Sequence, residues 1–529
     1  MSRFVRASKY RHVFGQQGKK EYGLDNIKVS NSAWDTNVVS ASSRYISINW
    51  NASGGGAFGI LPLPSPFDPL PHGFPSKLPD LVPLARSHSA PVLDTDWSPF
   101  NDSVVASAGD DGKVMIWKVE SSVFEGWGLE HWEPQDFDPV ARIDVSPRRV
   151  GQVLFHPTAN NVLASTTGDH VVKLWDLANP ENARAVLSGH GDAIQSLAFN
   201  PSGNLLVTTC RDRRIRLFDP RASGEAVRIA EGHGGIKGAR VVWMGDRDNI
   251  VTTGFSKMSD RQVAIWETGG LGNVKMTTID QTSGVLMPFW SDNNILFLAG
   301  KGDGNIRYYE YENDQLFGLS EYKSSDPQRG MCFLPRRALN VAECEIARAY
   351  KVAASSIEAI AFIVPRKSDS FQSDIYPPAP SADPALSAGE FFSGKAAPPN
   401  LVSLDTGAIS VGAPPSAVPS TPAPQFVSTP TRTTSAPTPA PVSVPSISVQ
   451  VESVPSPVAR KPESSPALYT PVEPKTPGLS ESGEVASLKD ENVRLNMELR
   501  EARAQIRNLE LQVESIKANA RKAAALLDS

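Results

Sequence analysis

The sequence predicts an all-β fold, a seven-bladed WD-repeat β-propeller, followed by a disordered Pro/Ser/Thr-rich linker and an α-helical coiled coil. Three observations carry this. An Asp recurs six residues before an aromatic that closes a β-rich run, successive Asp residues are spaced 58, 43, 48 and 43 apart, and the chain ends in a sustained heptad. A repeat near 40–45 residues marks propeller blades, small antiparallel sheets that cannot bury both faces without neighbours.

Taken in chain order, the strand-like run FVRASKYRHVF at residues 4–14 is expected to supply the missing strand of the last blade, which removes an open sheet edge. Five blades are explicit, marked by Asp111 with Trp117, Asp169 with Trp175, Asp212 with Phe218, Asp260 with Trp266, and Asp303 with Tyr309. In each, the Asp sits in a tight turn and is expected to hold an upstream His, while the aromatic packs between blades. That His stands at His88, His190 and His233; ahead of Asp169 the position is Ser146. The spacing of 58 implies an insertion around residues 124–139. Two further blades, at about residues 27–63 and 329–366, complete a ring of seven. The propeller is therefore placed at 1–366, an extension packed on it at 367–395, a linker at 396–483 and the coiled coil at 484–529.

The linker assignment rests on proline, 23 of whose 44 occurrences lie between Pro377 and Pro477. Such a tract resists helix, offers few donors to a sheet and has little to bury. Beyond it, core positions alternate by three and four through Val485, Leu488, Asn492, Leu495, Leu499, Ala502, Ile506, Leu509, Val513 and Ile516. About six heptads specify a left-handed coiled coil, with Asn492 selecting a register. Oligomerisation is expected through Leu488, Asn492, Leu495, Leu499, Ile506, Leu509, Glu510, Val513 and Ile516.

Composition narrows the function classes. A net charge of −5 argues against a nucleic-acid partner. Three cysteines far apart offer neither a disulfide framework nor a thiolate metal site. No apolar run reaches the ~18 residues of a membrane helix, and the N-terminus lacks a signal-peptide core, so a cytoplasmic location is expected. No HExxH, GxSxG or CxxC spacing occurs, and the Gly run at 54–56 lacks the Lys-Ser/Thr of a phosphate loop. Neither catalytic residues, cofactor nor metal are expected, and His88, Asp111, Trp117, Asp169, Trp175, His190, Asp212, His233, Asp260, Trp266 and Asp303 are read as blade-structural.

Local sequence adds a family. The runs RASKYRHVFGQ at 6–16, ASGGGAF at 52–58, TGFSKMSDRQV at 253–263, GKGD at 300–303 and QRGM at 328–331 resemble coronin, the actin-filament-binding family; so do VPRKSD at 364–369 and DIYPP at 374–378. The match to fungal-type short coronins covers about 1–395 and the coiled coil. The resemblance implies binding to the side of filamentous actin, with Lys28 in the role of a basic contact residue that some relatives fill with Arg. It also implies a contact with the branching nucleator built on actin-related proteins, filament bundling, and a cytoskeletal location at cortical actin patches. For the coiled coil it implies a trimer rather than a dimer, with Gln505 standing where the family's trimer motif has Arg. The residues themselves add Arg6, Lys9, Arg11, Lys19 and Lys20 as further actin-binding candidates, because the first 28 residues are locally basic in an acidic chain. The reading from residues alone leaves open a generic WD-repeat scaffold for a vesicle coat or other multiprotein assembly.

Overall fold

The computed structural model describes residues 6–18, 23–53, 56–63, 74–75, 77–127, 129, 131–366 and 370–405. The coiled-coil positions Leu488 to Ile516, the linker beyond residue 405, and Lys19 and Lys20 lie outside the described residues.

Seven antiparallel sheets follow one another, six of them built from four strands consecutive in sequence. The first strands of neighbouring blades approach each other and line a central channel. Blade 2 shows why the sequence folds this way locally. Its third strand, Lys113–Lys118, buries four central residues and is launched by the Asp111-Gly112 turn. Gly112 has φ +79°, and a Cβ there would meet the Ser146 carbonyl at 2.0 Å, so both dihedral and space demand glycine. At the strand's end Trp117 is fully buried and packs edge-on against Phe58 of blade 1, 5.4 Å between centroids. That contact joins two sheets, neither of which has another way to cover the face.

Two expected boundaries are corrected. Blade 1 comprises Val39–Ala41, Tyr45–Trp50, Gly56–Pro62 and Leu84–His88, so it runs to residue 88 rather than 63. The proline-rich stretch after Leu63 hides the fourth strand from any periodicity argument. The closing strand of blade 7 is Phe14–Gln17, paired with Ser356–Ile363, and Leu24–Asp25 continues the same edge. Residues 6–13 instead form a turn whose Tyr10 and Val13 are buried, anchoring the chain before the strand begins.

The insertion in blade 2 starts with a 3₁₀ turn, Ser121–Phe124, and forms an aromatic cluster. Trp127 stacks with Trp132 at 4.5 Å and meets Phe74 at 4.9 Å. The extension after the last blade continues beyond 395: Leu401–Val402 pairs with Ala379–Pro380 and Leu404 is buried. Two leucines with few charges nearby read as linker in sequence, yet they are the apolar anchors of this segment.

Strands alternate in direction, so the ring has two distinct faces. Connections between blades and turns from second to third strand lie on one, called here the upper face. Turns from first to second and from third to fourth strand lie on the lower face. The extension crosses the lower face, where Leu386 bridges to Ala159 of blade 3, the Gly394 carbonyl accepts from Arg221 of blade 4 at 3.1 Å, and Asn293 of blade 6 donates to the Ile375 carbonyl at 2.6 Å.

Candidate binding surface

The expected clasp of Asp on His is present once. His88 Nδ1 lies 3.0 Å from Asp111, His88 Nε2 lies 2.8 Å from Ser107 Oγ, and the Trp117 indole donates to that hydroxyl at 2.9 Å. Burial alone would raise the Asp111 carboxyl, but its contacts with His88 hold it below the usual range. In blade 3 the Ser146 hydroxyl donates to Asp169, and Trp175 donates to Ser165 at 2.9 Å. The other blades depart from the expectation. Asp212 takes a two-pronged contact from the buried Arg216, while His190 reaches the His170 carbonyl and Thr208. Arg216 enters from the same blade with a full charge and displaces the histidine as the carboxylate's partner. His233 meets Gln262 and Thr252, and Trp266 donates to Thr252 at 2.7 Å, whereas Asp260 accepts from Ser256 within its own turn. Asp303 pairs with Arg261 of the preceding blade at 2.8 Å.

The short sequence runs quoted above meet in space. Arg261 from the run at 253–263 reaches Asp303 from the run at 300–303, and Gln328 donates to the Gly300 carbonyl at 2.9 Å. Arg329 donates to the Ser30 carbonyl at 2.6 Å. Blades 5, 6, 7 and 1 are thus linked in succession by charged or amide contacts at the upper face. On the lower face Asn293 donates to Tyr10 Oη at 3.0 Å and to the Ile375 carbonyl, joining the N-terminal run, blade 6 and the extension.

A further network was not foreseen from sequence. The segment preceding blade 1 crosses the upper mouth of the channel. Trp34 donates to the Gly151 carbonyl of blade 3 at 2.8 Å, and Asp35 is gripped by Arg240 of blade 5 at 2.9 Å and Lys301 of blade 6 at 2.9 Å. Burial raises the Asp35 carboxyl, but Arg240 and Lys301 outweigh it and hold the acid far below its ordinary range. No local pattern signals this residue, since its partners lie in other blades.

The basic candidates divide between the two faces. Lys28 is exposed on the upper face, flanked by buried Ile27 and Val29. Its backbone is pinned, with Ile27 donating to Ser355 at 2.8 Å and the Lys28 carbonyl accepting from Asn51 at 2.7 Å. The Lys28 ammonium donates to the Asp80 carbonyl at 3.1 Å. Arg6 and Lys9 lie on the lower face, where Arg6 pairs with Glu310 and Glu312 and Lys9 donates to the Asp374 carbonyl at 2.8 Å. They line a cleft of about 730 Å³ with Asp292 and Asp374. A cation already paired with two carboxylates is a poor anchor for an acidic partner, and Lys28 and Arg6 do not share a face. Arg11, beside them in sequence, is half-buried. Among the described residues no cluster of His, Cys, Asp and Glu suits a metal ion, and no helix is long and apolar enough to cross a membrane.

Comparison with known proteins gives the following. Residues 3–67 match a domain of unknown function, DUF1899; residues 81–118 and 182–219 match the WD domain G-beta repeat, and 357–399 a further type of WD40 repeat. Over 411 residues, 76% of the chain, it is 53% identical to a coronin-like protein, crn1, of Schizosaccharomyces pombe, and it is 49% identical to a coronin-like protein of Saccharomyces cerevisiae. The chain spans 65% and 61% of those two relatives' lengths. It is 42% identical to coronin-A of Dictyostelium discoideum, covering 87% of it. The crystal structure of the WD40 domain of a Toxoplasma gondii coronin superposes with a TM-score of 0.67 at 29% identity, covering 74% of this chain and 97% of that one.

Proposed function

The chain belongs to the coronin family, and from that premise we propose that it binds the side of actin filaments as a non-enzymatic, cytoplasmic protein of the cortical actin cytoskeleton, and bundles them through its C-terminal heptads. The observation that supports this reading most directly is Lys28. Its backbone is fixed by two hydrogen bonds and two buried neighbours, while its side chain is exposed and, among the described residues, its ammonium meets a backbone carbonyl and no carboxylate. A cation held in place loses little conformational freedom on docking, which favours an electrostatic anchor against a polyanionic surface. One such contact is weak, about 0.5–1 kcal/mol, and is screened by salt. Joining several propellers through residues 484–529 multiplies apparent affinity by roughly 10²–10⁴ when the linker spans neighbouring sites. A contact with the branching nucleator belongs to the same reading, through the C-terminal part of the chain.

The test is filament co-sedimentation of the full chain at low and at physiological salt. Lys28→Glu is expected to weaken binding about five- to tenfold at low salt, and less as salt rises. Pelleting of that variant as complete as the parent's would remove Lys28 from the contact; failure of the parent to pellet would remove the filament reading altogether.

A further inference from the structure

Blades 4 and 5 carry, on the same upper face as Lys28, two large apolar side chains turned to solvent: Ile236 is 80% exposed and Met258 85%. Single exposed apolar residues are ordinary. These two sit on adjacent turns tied together, since Gly235 donates to the Phe255 carbonyl at 2.8 Å. Neither turn is loose. Ser256 donates to the Asp260 carbonyl at 2.8 Å, Ser259 to Ser256 at 3.0 Å, and the Ser256 hydroxyl to the Asp260 carboxylate at 2.8 Å. Lys237 lies over the Phe255 ring at 4.7 Å.

Around these apolar tips stand four exposed cations, Arg211, Arg213, Lys237 and Lys257. Among the described residues none of them has an acidic side chain within ion-pair distance. Of the acids nearby, Asp212 is paired with Arg216 and Glu231 with Arg214, while Asp260 and Asp192 accept only from the Ser256 hydroxyl and the Ala193 N–H and have no cationic partner among the described residues. In a chain of net charge −5, four unpaired cations outnumber these two acids, and that positive surplus around two exposed apolar tips complements an acidic surface with an apolar hollow.

We infer that this corner of the upper face, Lys237 and Lys257 with Ile236 and Met258 between them, is a second contact with the polyanionic filament, spaced around the ring from Lys28. The inference rests on the filament reading and adds to it a place, an apolar component and a direction: the upper face is turned to the partner and the lower face, covered by the extension, is turned away. A protein surface suits the patch better than a bilayer, which rewards a broader apolar face than two side chains supply.

The experiment is high-speed pelleting of the full chain with filaments, alongside vesicles rich in phosphatidylserine. Lys257→Glu is expected to raise the half-saturating filament concentration about fivefold or more, with the effect fading as salt rises. Met258→Ser is expected to raise it about threefold with the salt dependence unchanged, as loss of an apolar contact requires. Both side chains are exposed, so thermal melts should match the parent's. Combined with Lys28→Glu, either change should multiply the loss, because the two sites lie on different blades and share no residue. If the parent pellets and both variants pellet equally well, the second contact is overturned while the filament reading stands. If Met258→Ser reduces vesicle binding and leaves filament binding intact, the assignment to the filament is overturned. If the parent ignores filaments, the filament reading falls and this inference with it.

Discussion

Asp94 and Asp96 lie on the innermost strand of blade 2, Val92–Trp97, where each carboxylate accepts a backbone N–H of blade 3: Val153 at 3.2 Å and Phe155 at 2.7 Å. Burial pushes the Asp94 carboxyl up to about 8, the neighbouring Asp96 adding to it, and burial pushes Asp96 up to about 7. An acid raised in the folded state keeps a proton that the unfolded chain, titrating near 4, has already lost. Stability therefore declines as pH rises toward 7 and 8. Histidines act in the opposite sense at lower pH. Burial depresses His156 and His190 to about 4, so their contribution is present above the ordinary histidine value near 6.5 and lost as pH falls. Between about pH 4 and 6.5 the two acids and the two histidines offset each other, so a chemical-denaturation series should show a broad plateau there and a decline above pH 6.5. The double replacement Asp94→Asn, Asp96→Asn should flatten the decline between pH 6.5 and 8, by about 1–2 kcal/mol, both residues being half-buried rather than wholly enclosed. An unaltered slope in the double variant would contradict the assignment. At this scale the sequence was readable where partners repeat with the blade, as with His88 and Asp111. It was unreadable where they come from across the ring: Asp35 meets Arg240 205 positions away, and nothing local distinguishes that aspartate from the others. For the same reason the basic candidates stand together in the N-terminal sequence, although folding sends Lys28 to one face and Arg6 to the other.

The closing strand shows how an element can be foreseen in role and misplaced in register. The need to complete blade 7 follows from the ring itself, and a β-prone stretch near the N-terminus is the natural candidate. The run at 4–14 reads as strand-like through its aromatic and β-branched residues; in the fold Tyr10 and Val13 are buried as an anchor, with the Tyr308 hydroxyl donating to the Val13 carbonyl at 3.1 Å. The ladder proper is Phe14–Gln17 against Ser356–Ile363, finished by Gly18 donating to the Ala359 carbonyl at 2.7 Å. Burying Tyr10 and Val13 contributes about 1.5–3 kcal/mol apiece, and the ladder covers an edge that otherwise invites aggregation. Deleting residues 1–18 should lower the melting temperature markedly and promote self-association. A synthetic peptide of residues 6–18, added in excess, should raise the melting temperature of the deleted protein. A deletion that melts like the parent would show that the ring closes without this strand. The fourth strand of blade 1 escaped notice for a different reason, because proline between it and the third strand erases the period that located its counterparts.

For the whole molecule, the division of labour between ring and heptads makes a separable prediction. On the reading proposed above, a rigid ring that presents Lys28 on one face would bind a filament side but hold only one filament. Bundling needs at least two rings joined by a tether of sufficient reach, and the 78 residues from 406 to 483, taken at their linker composition, would span about 50 Å at ~5–6 Å × √n. Removing residues 484–529 should leave the ring folded, because every blade contact described above lies within residues 6–405. The truncated chain should sediment as a monomer in ultracentrifugation and still pellet with filaments at high speed, but at a half-saturating concentration higher by roughly 10²-fold or more. Low-speed pelleting, which reports bundles, should disappear. Rising salt should then release the truncated chain well before the parent, since one ring has only its own screened contacts whereas linked rings must let go together. Full low-speed bundling by the monomeric truncation would mean that a single ring carries two filament sites. The lower face, with its acid-lined cleft at Arg6 and Lys9, would then have to be re-examined as the second of them.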